Sequence, residues 1–132
     1  MHVLIASSSA FRRELYQQAI HGLGHDVSLA DGGVDCVQQV RVRRPDLLVL
    51  EAPLLWGGSD GVLDILQGMD PFGTRVILVA AGTGSIDWFQ LSRFRVDDVL
   101  FRLPNLQELQ RAIGDAKPGA ARPSRKAGQQ VA

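Results

Sequence analysis

Five short apolar segments recur along the chain, separated by stretches with the periodicity of an amphipathic helix. Three of them, at 2–6, 47–52 and 75–81, are nearly continuous rather than alternating, which is typical of strands covered on both faces; the segment at 26–30 is weaker. We expect strands at 2–6, 26–30, 47–52, 75–81 and 98–101. Their starts lie roughly 20 to 30 residues apart, which is the length of a strand–helix–strand unit. The sequence therefore predicts an α/β fold with three layers and a parallel sheet.

Helical periodicity fills the stretches between the strands and follows the last one. We expect helices at 11–20, 33–43, 59–69 and 85–94, and a last helix from Asn105. Ser8 or Ser9 can cap the first helix, because a serine oxygen accepts a hydrogen bond from the exposed amides of the first turn. Gly22 stands where a helix commonly ends. Asn105 with Glu108 has the spacing of a capping box.

Length and composition indicate one globular domain. The chain has 132 residues, of which 45% are hydrophobic and 21% are charged, as in ordinary globular proteins. No apolar run approaches the roughly 20 residues of a membrane span, and no signal-peptide pattern opens the chain. We therefore expect a cytoplasmic protein that does not enter a membrane. The single cysteine, Cys36, excludes an internal disulfide and is expected in the core.

The zero net charge hides an asymmetry between two parts of the chain. Residues 1–116 hold 10 arginines and 14 acids, a net charge of about −4. Residues 117–132 hold four cations and no acid, namely Lys117, Arg122, Arg125 and Lys126. We expect residues 1–116 to form the domain, without affinity for nucleic acid. Residues 117–132 are basic and rich in Pro, Gly and Ala, which predicts a disordered tail or linker.

Five stretches fall in the order and spacing of a known family. They are Val3 to Ser8, Arg44 to Glu51, Asp60-Gly61, Val76 to Ala81 and Asp97 to Arg102. Over residues 1–116 the chain resembles the CheY-like receiver domains of two-component signalling. The resemblance implies a flavodoxin-like doubly wound fold of five strand–helix units with strand order 2-1-3-4-5. It also implies partners among signalling proteins, such as a histidine kinase or an output protein, and possible homodimers.

The residues that carry the family's phosphorylation chemistry are replaced. Receivers hold Mg²⁺ with two acids after the first strand, where this chain has Ser7 and Ser8. Serine hydroxyls are poor substitutes for the anionic oxygens that Mg²⁺ requires. The phospho-acceptor aspartate matches Glu51, whose longer side chain disfavours in-line attack. The switch hydroxyl matches Ala80, which has none.

The last strand carries two further departures from the family's pattern. The aromatic switch residue falls on Val99. The lysine falls on Arg102 by strand counting, or on Leu103 if Pro104 sets the register. We expect an ion pair between Glu51 and Arg102 in place of the contact between phosphoryl group and lysine, or else two solvated side chains that do not meet.

A partner surface is expected near the fourth helix and the last strand. That helix has two apolar stripes, and only one of them can face the sheet. The candidates for partner contacts are Trp88, Leu91, Val99 and Phe101. Tryptophan is frequent among the residues that dominate interface energetics.

The sequence therefore predicts a degenerate receiver that signals through protein contact, without phosphorylation, catalysis, metal or cofactor. The other interpretation is a small flavodoxin-like protein that binds a ligand, flavin or phosphate. It would use the serine loop Ser7–Ser9 with Trp56 and Trp88. A helix N-terminus after a serine loop favours anions, although helix capping also explains these serines.

Overall fold

Strands and helices alternate along the chain as the periodicity predicts. A computed structural model describes residues 1–52, 59–68, 73–80, 95–101, 106–115 and 125–126. The strands are β1 His2–Ala6, β2 Asp26–Ala30, β3 Leu47–Ala52, β4 Arg75–Ala80, β5 Arg95–Val96, β6 Asp98–Phe101 and β7 Arg125–Lys126. The helices are α1 Ala10–His21, α2 Gly33–Val42, α3 Ser59–Gln67 and α4 Leu106–Asp115. The helix expected at 85–94 and the cap expected at Asn105 lie outside the described residues.

Five of the strands form one parallel sheet in the order β2-β1-β3-β4-β6. Counted along the chain within this sheet, the order is 2-1-3-4-5, which confirms the expected doubly wound fold. The first and third strands lie side by side, with Ala6 opposite Leu50. Their carboxyl ends therefore meet at the point where the strand order reverses, the usual ligand site of such sheets.

The central strands β1, β3 and β4 bury side chains on both faces of the sheet, which explains why their segments are almost continuously apolar. One core cluster holds Leu4, Leu48 and Leu50 with residues of α2 and α3. The other holds Ile5, Val49 and residues of α1 and α4. The pleat of a strand sends successive side chains to opposite faces, so the two clusters share every central strand.

The helix ends follow from local chemistry. Ser9 is the N-cap of α1, since its Oγ accepts from the Arg12 amide at 3.2 Å. The chain leaves α1 through Gly22 and turns at Gly24, whose φ of 89° favours glycine. Helices α2 and α3 end one and two residues earlier than the periodicity predicts; such small shifts are usual at helix ends.

Two short strands form a second, antiparallel sheet that the sequence did not predict. Arg95 pairs with Lys126, and Val96 pairs with Arg125. This pairing places one dipeptide of the basic tail beside the segment that leads into β6. The other residues of 117–132 lie outside the described part of the chain, so their disorder stays a prediction.

Cys36 is a core residue, as expected. Its side chain is fully buried in the cluster between the sheet and α2. Burial, with a smaller contribution from Asp35, raises the pKa of the thiol to about 12. Among the residues that the structure describes, no helix combines the length and hydropathy needed to cross a membrane.

Candidate functional site

Glu51 lies at the carboxyl end of β3, at the reversal point of the sheet. It follows Leu50, which faces α2 and α3, so the strand pleat directs Glu51 to the face that carries α1. The residue is only 1% exposed. A buried carboxylate is stable only with cations or hydrogen-bond donors around it. The neighbouring residues of α1 and of the loop before it supply them.

Arg12, in the first turn of α1, binds both carboxylate oxygens of Glu51. Its Nε donates to Oε2 at 2.9 Å and its Nη2 donates to Oε1 at 2.6 Å. This two-pronged geometry is the strongest form of ion pair in proteins. The Arg12 side chain is 30% exposed, whereas that of Glu51 is 2% exposed. The hydrogen bond to Glu51 raises the pKa of Arg12, which remains charged at any ordinary pH.

The serine loop adds a third hydrogen bond to the same carboxylate. Ser7, which is fully buried, donates from Oγ to Oε1 of Glu51 at 3.0 Å. The same Oγ accepts from the Ser9 amide at 3.2 Å. Ser8 is half-buried in the same loop. Ser7 thus binds Glu51 while Ser9 caps α1, and the loop forms a hydrogen-bonded turn beside the carboxylate.

Two arginines in the first turn of α1 are the signal that sequence reasoning missed. Cations near a helix N-terminus oppose the helix dipole, and this first turn holds Arg12 and Arg13 but no acid. Each arginine is held by an acceptor outside the helix. Arg12 binds Glu51, and Arg13 donates from Nη1 to the Ser7 carbonyl at 2.6 Å. A basic first turn beside a lone buried acid therefore indicated an internal ion pair.

Tyr16 lies one helical turn beyond Arg12 and is 2% exposed. Its hydroxyl has no hydrogen-bond partner among the described residues. Burial raises the pKa of Tyr16 to about 12, and the negative charge of Glu51 adds to the effect. The side chain therefore stays neutral and forms part of the apolar wall beside the ion pair.

The other predicted site residues fall into two groups. Arg102, Trp56, Trp88 and Leu91 lie outside the described residues, so the expected pair with Arg102 and the ligand interpretation stay predictions. The cation that the structure places on Glu51 is Arg12.

Three further candidates lie on β4 and on β6, which pairs with β4. Ala80 ends β4 and pairs with Ala52 and Phe101 in the sheet. Phe101 is described through its backbone alone. Val99 is only 4% exposed and packs in the core with residues of α2 and α3. The pleat of β6 turns this side chain inward, and a part for Val99 in partner contacts stays a prediction.

Asp97, which lies just before β6, has a structural role. Its Oδ2 accepts from the Val76 amide at 2.7 Å, and its own amide donates to the Val76 carbonyl at 2.8 Å. The buried Asp97 carboxylate thus accepts the hydrogen bond of a β4 amide just before the ladder between β4 and β6 begins.

The chemistry open to the site follows from these contacts. Glu51 accepts one hydrogen bond at Oε2 and two at Oε1, so both lone pairs of Oε1 are engaged and Arg12 also holds Oε2. Within the described part of the chain, no three His, Cys, Asp or Glu side chains lie close enough together to hold a metal ion. The arrangement is a closed, neutral contact between α1 and β3.

Several solved structures with a similar fold are receiver or response-regulator domains. The N-terminal domain of a response regulator/sensory box/GGDEF three-domain protein from Carboxydothermus hydrogenoformans has a TM-score of 0.78 and 19% identity, over 88% of this chain and 93% of that chain. The chemotaxis protein CheY4 of Vibrio cholerae has a TM-score of 0.78 and 13% identity, over 88% and 98% of the two chains.

A third similar structure contains a metal ion. The receiver domain of the sensor histidine kinase PA1611 from Pseudomonas aeruginosa has a TM-score of 0.75 and 17% identity, over 83% of this chain and 91% of that chain. That structure has a magnesium ion coordinated in its active-site cleft. No protein-family model matches the sequence, and no curated protein matches it. At these identities the likeness establishes the receiver fold.

Proposed function

We propose that this chain is a receiver-type signalling module that acts by contact with other proteins and does not take up a phosphoryl group. The observation that carries the proposal is the ion pair between Arg12 and Glu51, which occupies both oxygens at the position of a receiver's phospho-acceptor. The receiver fold supports the signalling role. Under this proposal the module is not an enzyme and uses neither metal nor cofactor.

Three features of the site act together against phosphorylation. Attack on a phosphoryl donor needs a carboxylate oxygen with a free lone pair and accurate placement, and Arg12 and Ser7 both bind Oε1 of Glu51. Mg²⁺ needs anionic oxygens, and the loop offers the hydroxyls of Ser7 and Ser8 instead. Ala80 lacks the hydroxyl that would bind an incoming phosphoryl oxygen.

The ion pair also supplies what phosphorylation supplies elsewhere, namely a fixed charge arrangement at the carboxyl end of the sheet. Because the pair is internal, it holds one state of the domain without an external donor. Regulation then comes from the amount of the protein or from binding of its partner. We propose signalling proteins as partners, such as a histidine kinase or an output protein, with Trp88 and Leu91 as candidate contacts.

A backbone amide NMR titration tests the proposal. Mg²⁺ and beryllofluoride, which mimics a phosphoryl group, are added to millimolar concentration while the amides of Ser7, Glu51 and Ala80 are followed. We expect no saturable shift. Shifts that move together, saturate and disappear in the Glu51→Gln variant would overturn the proposal, because they would show binding at that carboxylate.

A second titration uses a variant that carries aspartates at the three positions where a receiver would have them. Arg12→Ala, Ser7→Asp, Ser8→Asp and Glu51→Asp are combined in one chain, and Glu51→Asp alone serves as its matched control. If the ion pair and the serines silence the site, the combined variant responds to beryllofluoride and the single variant does not. A response of Glu51→Asp alone would show that Arg12 does not close the pocket.

A further inference from the structure

His2 lies at the start of β1, far from the Glu51 site, and links three parts of the fold. Its Nε2 is 2.8 Å from Oγ of Ser28 on β2. Its amide donates to Oδ2 of Asp46 at 2.8 Å, and its carbonyl accepts from the Asp46 amide at 2.9 Å. The residue is 8% exposed. The imidazole is therefore a buried polar group at the end of the sheet where β1, β2 and β3 begin.

One ring nitrogen of His2, Nδ1, is buried and has no hydrogen-bond partner among the described residues. A neutral imidazole needs one donor and one acceptor contact, whereas an imidazolium has two N–H donors that both require acceptors. A buried charged donor without an acceptor costs considerably more free energy than a buried neutral nitrogen. The geometry of this site therefore favours the neutral ring.

The surrounding charges do not reverse this preference. Arg43, at the end of α2, lies beside the ring and lowers the pKa of His2, although burial is the larger cause. Asp26 and Asp46 raise the pKa of His2, whereas the amino group of Met1 lowers it by a smaller amount. Asp26 is itself paired with Arg43 at 2.8 Å, with both side chains more than 60% exposed.

Asp35 of α2 is a further acid near His2. It lines the same groove of about 290 Å³ as His2 and Ser28. Its carboxylate accepts from Gln39 Nε2 at 3.3 Å. No acid therefore binds Nδ1 directly, within the described residues.

We propose that the contact between His2 and Ser28 is a proton-sensitive latch on β2, and that proton uptake by His2 opens the Asp26 end of this strand. β2 is one edge strand of the sheet, and among the described residues it pairs with β1 alone. Four of its five residues are exposed or half-buried, so opening β2 exposes little apolar surface. An edge strand that opens leaves unpaired amides and carbonyls along β1, which is a surface for another strand.

The sign of the pH dependence follows from linkage. An unfolded or opened chain binds the His2 proton with the ordinary pKa of 6.5, and the closed state binds it with a lowered pKa. The open state therefore binds more protons in acid, and the closed state loses stability as the pH falls below 6.5. The loss levels off once the pH is below the pKa of the closed state.

Hydrogen exchange followed by NMR tests the latch in the full chain. Protection factors, which correct for the intrinsic pH dependence of exchange, are compared at pH 7.5 and pH 5. We expect the β2 amides Val27 to Ala30 to lose protection, by up to about tenfold for each unit by which the closed-state pKa of His2 lies below 6.5. The β4 amides Val76 to Val79 keep their protection.

Two histidine variants provide the control. His2→Gln remains neutral and keeps a donor for Ser28, so the pH effect on β2 disappears. His25→Gln changes the half-buried histidine that directly precedes β2 and lies 3.2 Å from the Met1 amino group, and leaves the effect intact. Retention of the full effect in His2→Gln would overturn the proposal. If that variant does not fold, the ring ¹⁵N shifts of wild-type His2 decide, since titration at or above pH 6.5 contradicts the latch.

Discussion

The guanidinium of Arg12 and the carboxylate of Glu51 form two parallel hydrogen bonds between residues 39 positions apart. The pair joins the first turn of α1 to the carboxyl end of the central strand β3. One partner is almost wholly buried and the other reaches solvent. Glu51 therefore depends on Arg12 to balance its buried charge, whereas the Arg12 guanidinium can also be hydrated by water.

Removal of Arg12 should destabilise the domain. In Arg12→Ala, Glu51 stays buried without its cation, and we expect the free energy of unfolding to fall by about 2 kcal/mol, less than for a fully buried pair because Arg12 is partly solvated. Urea denaturation at pH 7 measures the loss. Arg43→Ala is the matched control, since its ion pair with Asp26 is exposed, and should cost under about 0.5 kcal/mol.

The same pair can be replaced by apolar side chains. Arg12→Leu combined with Glu51→Leu removes both charges, and we expect most of the lost stability to return. Equal losses in Arg12→Ala and Arg43→Ala, or no recovery in the double variant, would contradict the view that the unpaired Glu51 causes the destabilisation.

Tyr16 should make the domain sensitive to alkali. Its pKa is about 12 in the folded protein against an ordinary value of 10, so the unfolded chain releases the proton first. Stability then falls between pH 10 and 12 by about 1.4 kcal/mol per pH unit. Urea midpoints of wild type and Tyr16→Phe, compared at pH 9 and pH 11, isolate this contribution from other titrating groups.

The chain has one tyrosine, so tyrosinate absorbance gives an independent measurement of its ionisation. At pH 7 Tyr16→Phe should be as stable as the wild type, because the hydroxyl has no partner among the described residues. Ordinary ionisation near pH 10 in the folded protein would show that the hydroxyl is solvated.

Cys36 should be unreactive in the folded protein. Its thiol is fully buried and its pKa is about 12, and the thiolate is the reacting form. We expect a disulfide reagent such as Ellman's reagent to label it at least about a thousandfold more slowly than in urea. Gln18→Cys in a Cys36→Ala background places a thiol on the exposed side of α1 and should react at once. Comparable labelling of both thiols would place Cys36 at the surface.

Asp97 should matter more to stability than its neighbour Asp98. Asp97→Ala leaves the Val76 amide without its acceptor and should cost about 1 to 3 kcal/mol. Asp98→Ala should cost less, since the Asp98 carboxylate is half-exposed and accepts from the adjacent Val99 amide. Asp97→Asn retains an acceptor oxygen and should recover part of the loss. Chemical denaturation of the three variants ranks them, and equal losses for both alanine variants would argue against the role assigned to Asp97.

The strands of the main sheet could be predicted because burial on both faces leaves the central ones almost continuously apolar, with polar residues chiefly at strand ends. His2–Ala6 and Asp98–Phe101 begin and end where the apolar pattern places them. Arg95–Val96 and Arg125–Lys126 could not be predicted, since two residues are too few for any periodicity. Their pairing depends on tertiary contacts that the chain pattern does not encode.

The sequence could predict which strand ends meet at the candidate site, but it did not predict the contact between Arg12 and Glu51. The carboxyl ends of the strands brought Ser7, Glu51 and Ala80 together, because parallel strands share one edge. The structure shows Arg12 of α1 on Glu51, while the expected contact with Arg102 stays a prediction because Arg102 lies outside the described residues. Glu51 alternates with Leu50 along β3 and therefore faces α1, which is why Arg12 reaches it.

The distance along the chain between Arg12 and Glu51 determines when their contact can form. The pair closes only after β3 has aligned beside β1, so it depends on a long-range strand pairing that is slow to establish. A contact absent from the folding transition state changes the rate of unfolding and leaves the rate of folding almost unchanged. The ion pair would then chiefly lower the rate of unfolding, which prolongs the lifetime of each folded molecule.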